Sequence, residues 1–182
     1  VCAQDSPGLF SKIAGVFTLN NIDILDAQIY TWQNNVALDI FKVKPPPDPL
    51  FEDERWSRAK KHLKSAINDK LDLGVSIKER IEDRRSNKTH MGQKPDQIVV
   101  DNDTSDFFTI IEVFTHDFPG LLFKVTNALY RCGLDIRIAK IATNVDQVVD
   151  IFYVRDLDGQ KVDSSDQVSA IKSAITEILP TS

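Results

Sequence analysis

The sequence predicts an α+β fold built from two β-α-β-β-α-β units, each an antiparallel sheet with helices on one face. Three observations predict it. Residues 1–31 align without a gap on residues 113–143 at a constant offset of 112, with eleven identities, and self-similarity at a fixed offset marks a duplicated structural unit. Each copy sets an apolar helical stripe ahead of two β-rich runs. A chain of 182 residues has room for two such units, expected at 1–103 and 104–182.

Val1–Gln4 is a shortened opening strand, matched by a fuller one at Phe107–Thr115 in the second copy. Leu9, Ile13, Val16 and Phe17 follow at i, i+4, i+7 and i+8, and Leu121, Val125, Ala128 and Leu129 repeat the spacing, so each set makes one buried helical face. Pro7 and Pro119 stand at the helix entrances, where a missing N–H costs nothing. Asn20-Asn21 and Cys132-Gly133 close the helices, because Asn and Gly accept the left-handed conformation after the last turn.

The next strand of each copy changes phase. Apolar residues fall at even positions first (Ile22, Ile24; Leu134, Ile136) and at odd ones later (Ala27, Ile29; Ala139, Ile141), which predicts a β-bulge near Leu25-Asp26 and Arg137-Ile138. A hairpin partner follows at Val36–Val43 and Gln147–Val154. The offset drops to 111 there, aligning Asp39-Ile40-Phe41 with Asp150-Ile151-Phe152, so the first copy holds one extra residue near Trp32–Asn35.

A stiff proline-rich connector spans 44–50. Trp56, Ala59, Leu63, Ala66 and Ile67 trace a second helix as core, and Val168, Ile171, Ile175 and Ile178 its counterpart, capped by Ser164 or Ser165 and stopped by Pro180. Residues 70–95 are polar without a sustained period and read as a linker or insertion. Gln97–Asn102 is a short strand expected to close the first unit, and the sheets of the two units are expected to pair.

Composition narrows the function. A net charge of −5 disfavours nucleic acid as a partner. With 42% hydrophobic and 27% charged residues, and no apolar run of membrane-spanning length, the chain is expected to be globular and not to enter a membrane. Cys2 and Cys132 are too few for a disulfide framework and read as buried thiols of a reducing, cytoplasmic protein. The start at Val1, without methionine, suggests a piece of something longer.

The motifs DSPGLFSKIAGVF at 5–17 and DFPGLLFKVTNAL at 117–129 resemble the ACT domain, a ferredoxin-like module that regulates by binding small molecules. More specifically, NIDILDAQIYT at 21–31, ALDIFKV at 37–43, the PPPDP connector, IVVDNDTSDFFTIIEVFTHD at 98–117 and LDIRIAKIATNVDQVVDIFYVRDLDGQKV at 134–162 are similar to the C-terminal tandem of the bifunctional uridylyltransferase/uridylyl-removing enzymes that modify the PII nitrogen-signalling protein. The resemblance implies a non-catalytic, glutamine-sensing region controlling attached catalytic domains. It implies PII as a partner through the parent enzyme, no cofactor in this part, magnesium for the parent's catalytic domains, and a possible homodimer.

The loops are the candidate sites. A helix N-terminus presents free N–H groups to an amino-acid carboxylate, Gly8 and Gly120 let a ligand approach the backbone, and Asp5 and Asp117 suit its ammonium or cap the helix. The ligand-binding set is Asp5, Ser6, Pro7, Gly8, Leu9 and Phe10 in one loop, and Asp117, Phe118, Pro119, Gly120, Leu121 and Leu122 in the other. In related tandems the second strand of the neighbouring unit forms the opposing wall, which nominates Asp23, Ile24, Asp135 and Ile136. The alternative is a ligand-free dimerisation or interaction module contacting the catalytic domains or PII.

Rival chemistries carry less. His116-Asp117 spells the dipeptide of metal-dependent phosphohydrolases, but the three histidines at 62, 90 and 116 form no ligand pattern. Asp101-Asn102-Asp103 reads as a joining turn. The basic stretch Lys78–Lys94 reads as solvated linker, with RNA binding as its minor alternative. An acylphosphatase-type enzyme of the same fold needs an arginine in the phosphate loop, and neither copy has one.

Overall fold

The computed structural model describes residues 1–32, 34, 36–46, 48–82, 95–143 and 148–180. The first copy forms β1 (Cys2–Gln4), α1 (Leu9–Leu19), β2 (Ile24–Thr31), β3 (Val36–Val43), a 3₁₀ turn at Pro49–Phe51, α2 (Glu52–Ile67) and α3 (Leu73–Glu82). The second forms β4 (Gln97–Asp101), β5 (Thr109–Thr115), α4 (Leu121–Arg131), β6 (Leu134–Thr143), β7 (Val148–Asp156) and α5 (Ser165–Ile178). The sheets are ordered β1-β3-β2 and β4-β5-β7-β6, antiparallel throughout, and make two ferredoxin-like units.

The repeated sequence yields repeated local geometry. The ladders slip between Ile24 and Asp26 and between Ile136 and Ile138, so a bulge re-aims each second strand where the phase changes. Ser6-Pro7-Gly8-Leu9 closes with Leu9 N–H donating to Ser6 O at 3.0 Å, and Phe118-Pro119-Gly120-Leu121 with Leu121 N–H donating to Phe118 O at 3.0 Å. Gly8 has φ 80 and ψ 2, and Gly120 φ 84 and ψ 7, the values of the third position of a type II turn whose second position favours proline. The Pro-Gly pair is thus required by the backbone that launches the helix. At the other end, Asn21 N–H to Thr18 O (3.1 Å) and Ile22 N–H to Phe17 O (2.8 Å) form a Schellman stop, with Asn21 at φ 56 and Gly133 at φ 75 in the second copy.

The helices stack on one another as well as on the sheets. α1 packs against α4, α2 and α3, and α4 against α5. Gly15 sits in that junction. A Cβ added there would stand 2.7 Å from the Phe123 ring of α4 and 3.0 Å from the Leu73 side chain of α3, so α1 gives up helix propensity for close approach on two sides. β2 runs beside β6 without sharing a ladder, and Ala27 and Ile29 join Ala139 and Ile141 in one buried cluster. The sheets meet through side chains, where strand pairing was expected.

Several sequence expectations need correction. The segment 70–95 is not linker throughout. Leu73–Glu82 is helical, and Leu73 and Ile77, 7% and 3% exposed, seal α3 against α1; two apolar contacts in one helical turn are too short a run to show as a period. Residues 83–94, which include His90 and much of the basic stretch, lie outside the described residues. Gln97–Asp101 does not close the first unit. It pairs with β5, Ile98 facing Val113 and Val100 facing Ile111, because the apolar edge of β5 gives its alternating side chains a core to complete. Cys2 is exposed rather than buried, and Cys132 is half-buried where it packs against the core of the second unit.

Candidate functional site

Both turns and both bulged strands converge, crosswise between the units. Asp5, Ser6, Gly8, Leu9 and Phe10 share one pocket with Asp135 and Ile136; Asp117 to Leu122 share a second with Asp23 and Ile24. Of the loop residues nominated from sequence, Pro7 alone faces neither pocket. The Gly residues that make the turns, the two uncapped helix starts and the bulged strands recur at equivalent positions, so the molecule holds two related sites. Helices α1 and α4 take Gly8 and Gly120, not Asp5 and Asp117, as their N-cap residues and carry no acid in their first turn, so the positive end of each favours an anion.

The two pockets differ in room. The one at Asp5–Phe10 has about 20 Å³ of free volume, the one at Asp117–Leu122 about 590 Å³. The first suffices for a single water; the second falls in the range of small-molecule sites. The cause lies in exchanges between the repeat copies. Tyr130 lines the small pocket with its ring about 3.1 Å from where a Cβ on Gly8 would lie; its counterpart in the open cleft is Thr18. Arg137 bridges Asp135 at 2.7 Å and Asp5 at 3.7 Å; its counterpart is Leu25, an apolar wall residue. Among the described residues the open cleft keeps a loose, exposed pair between Lys44 and Asp23 at 3.4 Å, and its Phe118 is steadied by Lys124, 5.0 Å above the ring.

Among the residues that sequence reasoning missed is one buried acid in each site. Asp39 on β3 and Asp150 on β7 are aligned by the repeat, line the small pocket and the open cleft respectively, and are 2% and 1% exposed. The Oδ1 atom of each is buried without a hydrogen-bond partner among the described residues. Loss of hydration pushes Asp39 up to about 6, against the pull of the Val1 ammonium, and Asp150 up to about 7, with the charge of Asp117 adding to the rise. Burial raises Asp135 as well, in spite of Arg137. The signal was present in the strand pattern: an aspartate at a core-facing position of an otherwise apolar strand, twice.

A third hollow, of about 720 Å³, lies beneath the proline-rich connector between Asn20, Lys44 and Arg55. Its cations are engaged: Arg55 donates to Asn21 O at 2.6 Å, Arg58 to Asn20 Oδ1 at 3.2 Å, and Lys44 pairs with Asp23. Asp101 accepts from the Asp103 and Thr104 amides at 2.7 and 3.0 Å, and Asn102 donates to Val162 O at 2.5 Å. The Asp101–Asp103 segment is the joining turn expected. Among the described residues no group of three His, Cys, Asp or Glu side chains could hold a metal ion, and no helix is long and apolar enough to cross a membrane.

No protein-family model matches the chain. It is 36% identical to a bifunctional uridylyltransferase/uridylyl-removing enzyme of Rhodospirillum rubrum over 99% of its own length and 20% of the relative's. Proteins of the same description from Gluconobacter oxydans (36% identity, 96% of this chain, 18% of the relative) and Novosphingobium aromaticivorans (38%, 97% and 19%) are similarly related. The chain thus spans about a fifth of the length of these relatives.

Proposed function

From the kinship of this chain with one fifth of the uridylyltransferase/uridylyl-removing enzymes, we propose that it is a non-catalytic, amino-acid-sensing region of such an enzyme, with glutamine as its ligand. The observation that carries the reading is the open cleft between the α4 turn and the bulge of β2. It offers an uncapped helix N-terminus to an α-carboxylate, exposed Asp23 and Asp117 to an α-ammonium, and space for a side chain. A zwitterion is complementary to that arrangement, and the small pocket has no room for one.

Sensing follows from where the cleft lies. One wall belongs to each unit, so a ligand that touches both favours one relative placement of the units. The shift is limited by the ligand's difference in affinity between placements. Attached transferase and hydrolase domains of a cytoplasmic parent enzyme acting on PII would read that placement. Isothermal titration of the chain with glutamine, against glutamate, asparagine and a branched-chain amino acid, tests the reading. One equivalent of glutamine bound in the micromolar to low-millimolar range is expected. Silence toward every amino acid from folded protein would overturn it in favour of an interaction module.

A further inference from the structure

The open cleft holds a group that the helix N-terminus and the exposed carboxylates do not account for. Asp150 stands on the core face of β7 between Val148 and Phe152, lines the cleft, and has an Oδ1 atom with no donor among the described residues. A buried carboxylate without a donor is costly. A strand position that needed packing alone is served by valine, as at 148 and 154. Lys44, the cation lining the same cleft, is half-exposed and turned to Asp23. The described residues thus leave this acceptor without a donor, beside a cleft that has room to bring one.

We propose that Asp150 is the specificity residue of the cleft: its carboxylate accepts an N–H from a terminal primary carboxamide, so the seat takes a carboxamide side chain and rejects the corresponding acid. This rests on the reading of the cleft as an amino-acid seat, and it names the partner that separates glutamine from glutamate. Above about pH 7, where Asp150 is ionised, bound glutamate would bring a second carboxylate against it away from water and one of the two would have to take up a proton, so the discrimination is expected on the alkaline side. A branched apolar side chain would leave Oδ1 unpaired. Polar pairing of this kind discriminates far more steeply than pocket size. Asp39, the counterpart, lines the small pocket that Tyr130 narrows and whose Asp5 and Asp135 are held by Arg137, and has no room to read a ligand.

The test is titration of the wild-type chain, Asp150→Asn and Asp39→Asn with glutamine and with glutamate, each variant first shown to unfold cooperatively. An asparagine at 150 donates to a carboxylate as readily as it accepts from an amide. Asp150→Asn is expected to weaken glutamine by about tenfold or more and to narrow the glutamine-to-glutamate preference by at least about tenfold; Asp39→Asn is expected to change neither. Equal weakening of both amino acids would mean that Asp150 holds the α-ammonium, and unchanged affinities that it holds nothing; either overturns the assignment while leaving the seat intact. Wild-type chain that binds neither amino acid removes the seat, and the assignment with it.

Discussion

Replacing Asp150 by asparagine should stabilise the protein at alkaline pH and scarcely affect it in acid. The carboxyl titrates at about 7 in the folded chain, against 3.8 when hydrated. Between those values the unfolded chain has released a proton that the folded chain retains, so stability falls as pH rises, by about 1.4 kcal/mol per pH unit from this group, and levels off above about pH 7. Over an interval of about three pH units the loss reaches about 4 kcal/mol, a large part of the stability of an ordinary domain. Asparagine carries no charge at any pH. Urea denaturation from pH 4.5 to 8.5 should find the two proteins within about 1 kcal/mol at the acid end and the variant ahead by up to about 4 kcal/mol at pH 8. Asp23 and Lys44 are present in both proteins, whereas Asp117, whose charge adds to the rise of Asp150, is relieved of that repulsion in the variant, which works in the same direction. A gap independent of pH, or a variant less stable at pH 8, would show that Asp150 is ionised and satisfied in the fold, and the reasoning would fail. The same substitution is expected to cost ligand selectivity, a trade of function for stability.

Copying the open cleft into the closed one, by Tyr130→Thr with Arg137→Leu, should raise the ligand stoichiometry from one to two by calorimetry; a stoichiometry that stays at one would mean that these two side chains are not what closes the pocket. Gly120→Ala forces an L-residue to φ 84 and should cost about 1–3 kcal/mol in chemical denaturation, since the turn needs the conformation whether or not a ligand comes. Gly15→Ala, driven into Phe123 at 2.7 Å, should destabilise by about 1–3 kcal/mol despite its better helix propensity, which a denaturation midpoint would show. Ile77→Ala should cost about 2–4 kcal/mol if α3 is core, and near nothing if it is linker.

The fold was legible where the chain says the same thing twice. The slip of phase between Ile24 and Ala27, echoed between Ile136 and Ala139, located both bulges, and the Pro-Gly pairs located both helix starts. The crosswise nomination of loops and second strands came from resemblance; apart from Pro7, the nominated residues line the two pockets. Less legible was anything set by one copy alone. Leu73 and Ile77 look like scattered apolar residues until α1 is seen beneath them, and Gln97–Asp101 reads as a strand without saying which sheet it joins. Which site is open turned on Tyr130 against Thr18 and Arg137 against Leu25, differences that a search for similarity passes over. Asp39 and Asp150 were aligned from the start at core-facing positions of their strands, a signal that was in the pattern and was not weighed.

The pairing of β4 with β5 changes what should count as the heritable module. In chain order the second unit starts with the strand that occupies the outer position of its sheet, so its closing piece is carried at the front. A piece of gene cut at codon 104, where the motif pattern places the boundary, would leave the β5 edge bare and uncover the core that Ile98 and Val100 help to seal. A cut at codon 95 carries β4 along and keeps the four-stranded sheet whole, while still giving up Phe10, Ala27 and Ile29 of the first unit, which share its buried cluster. Such a segment needs no strand from its neighbour, but it does need an apolar face in place of the one that α1 and β2 supply.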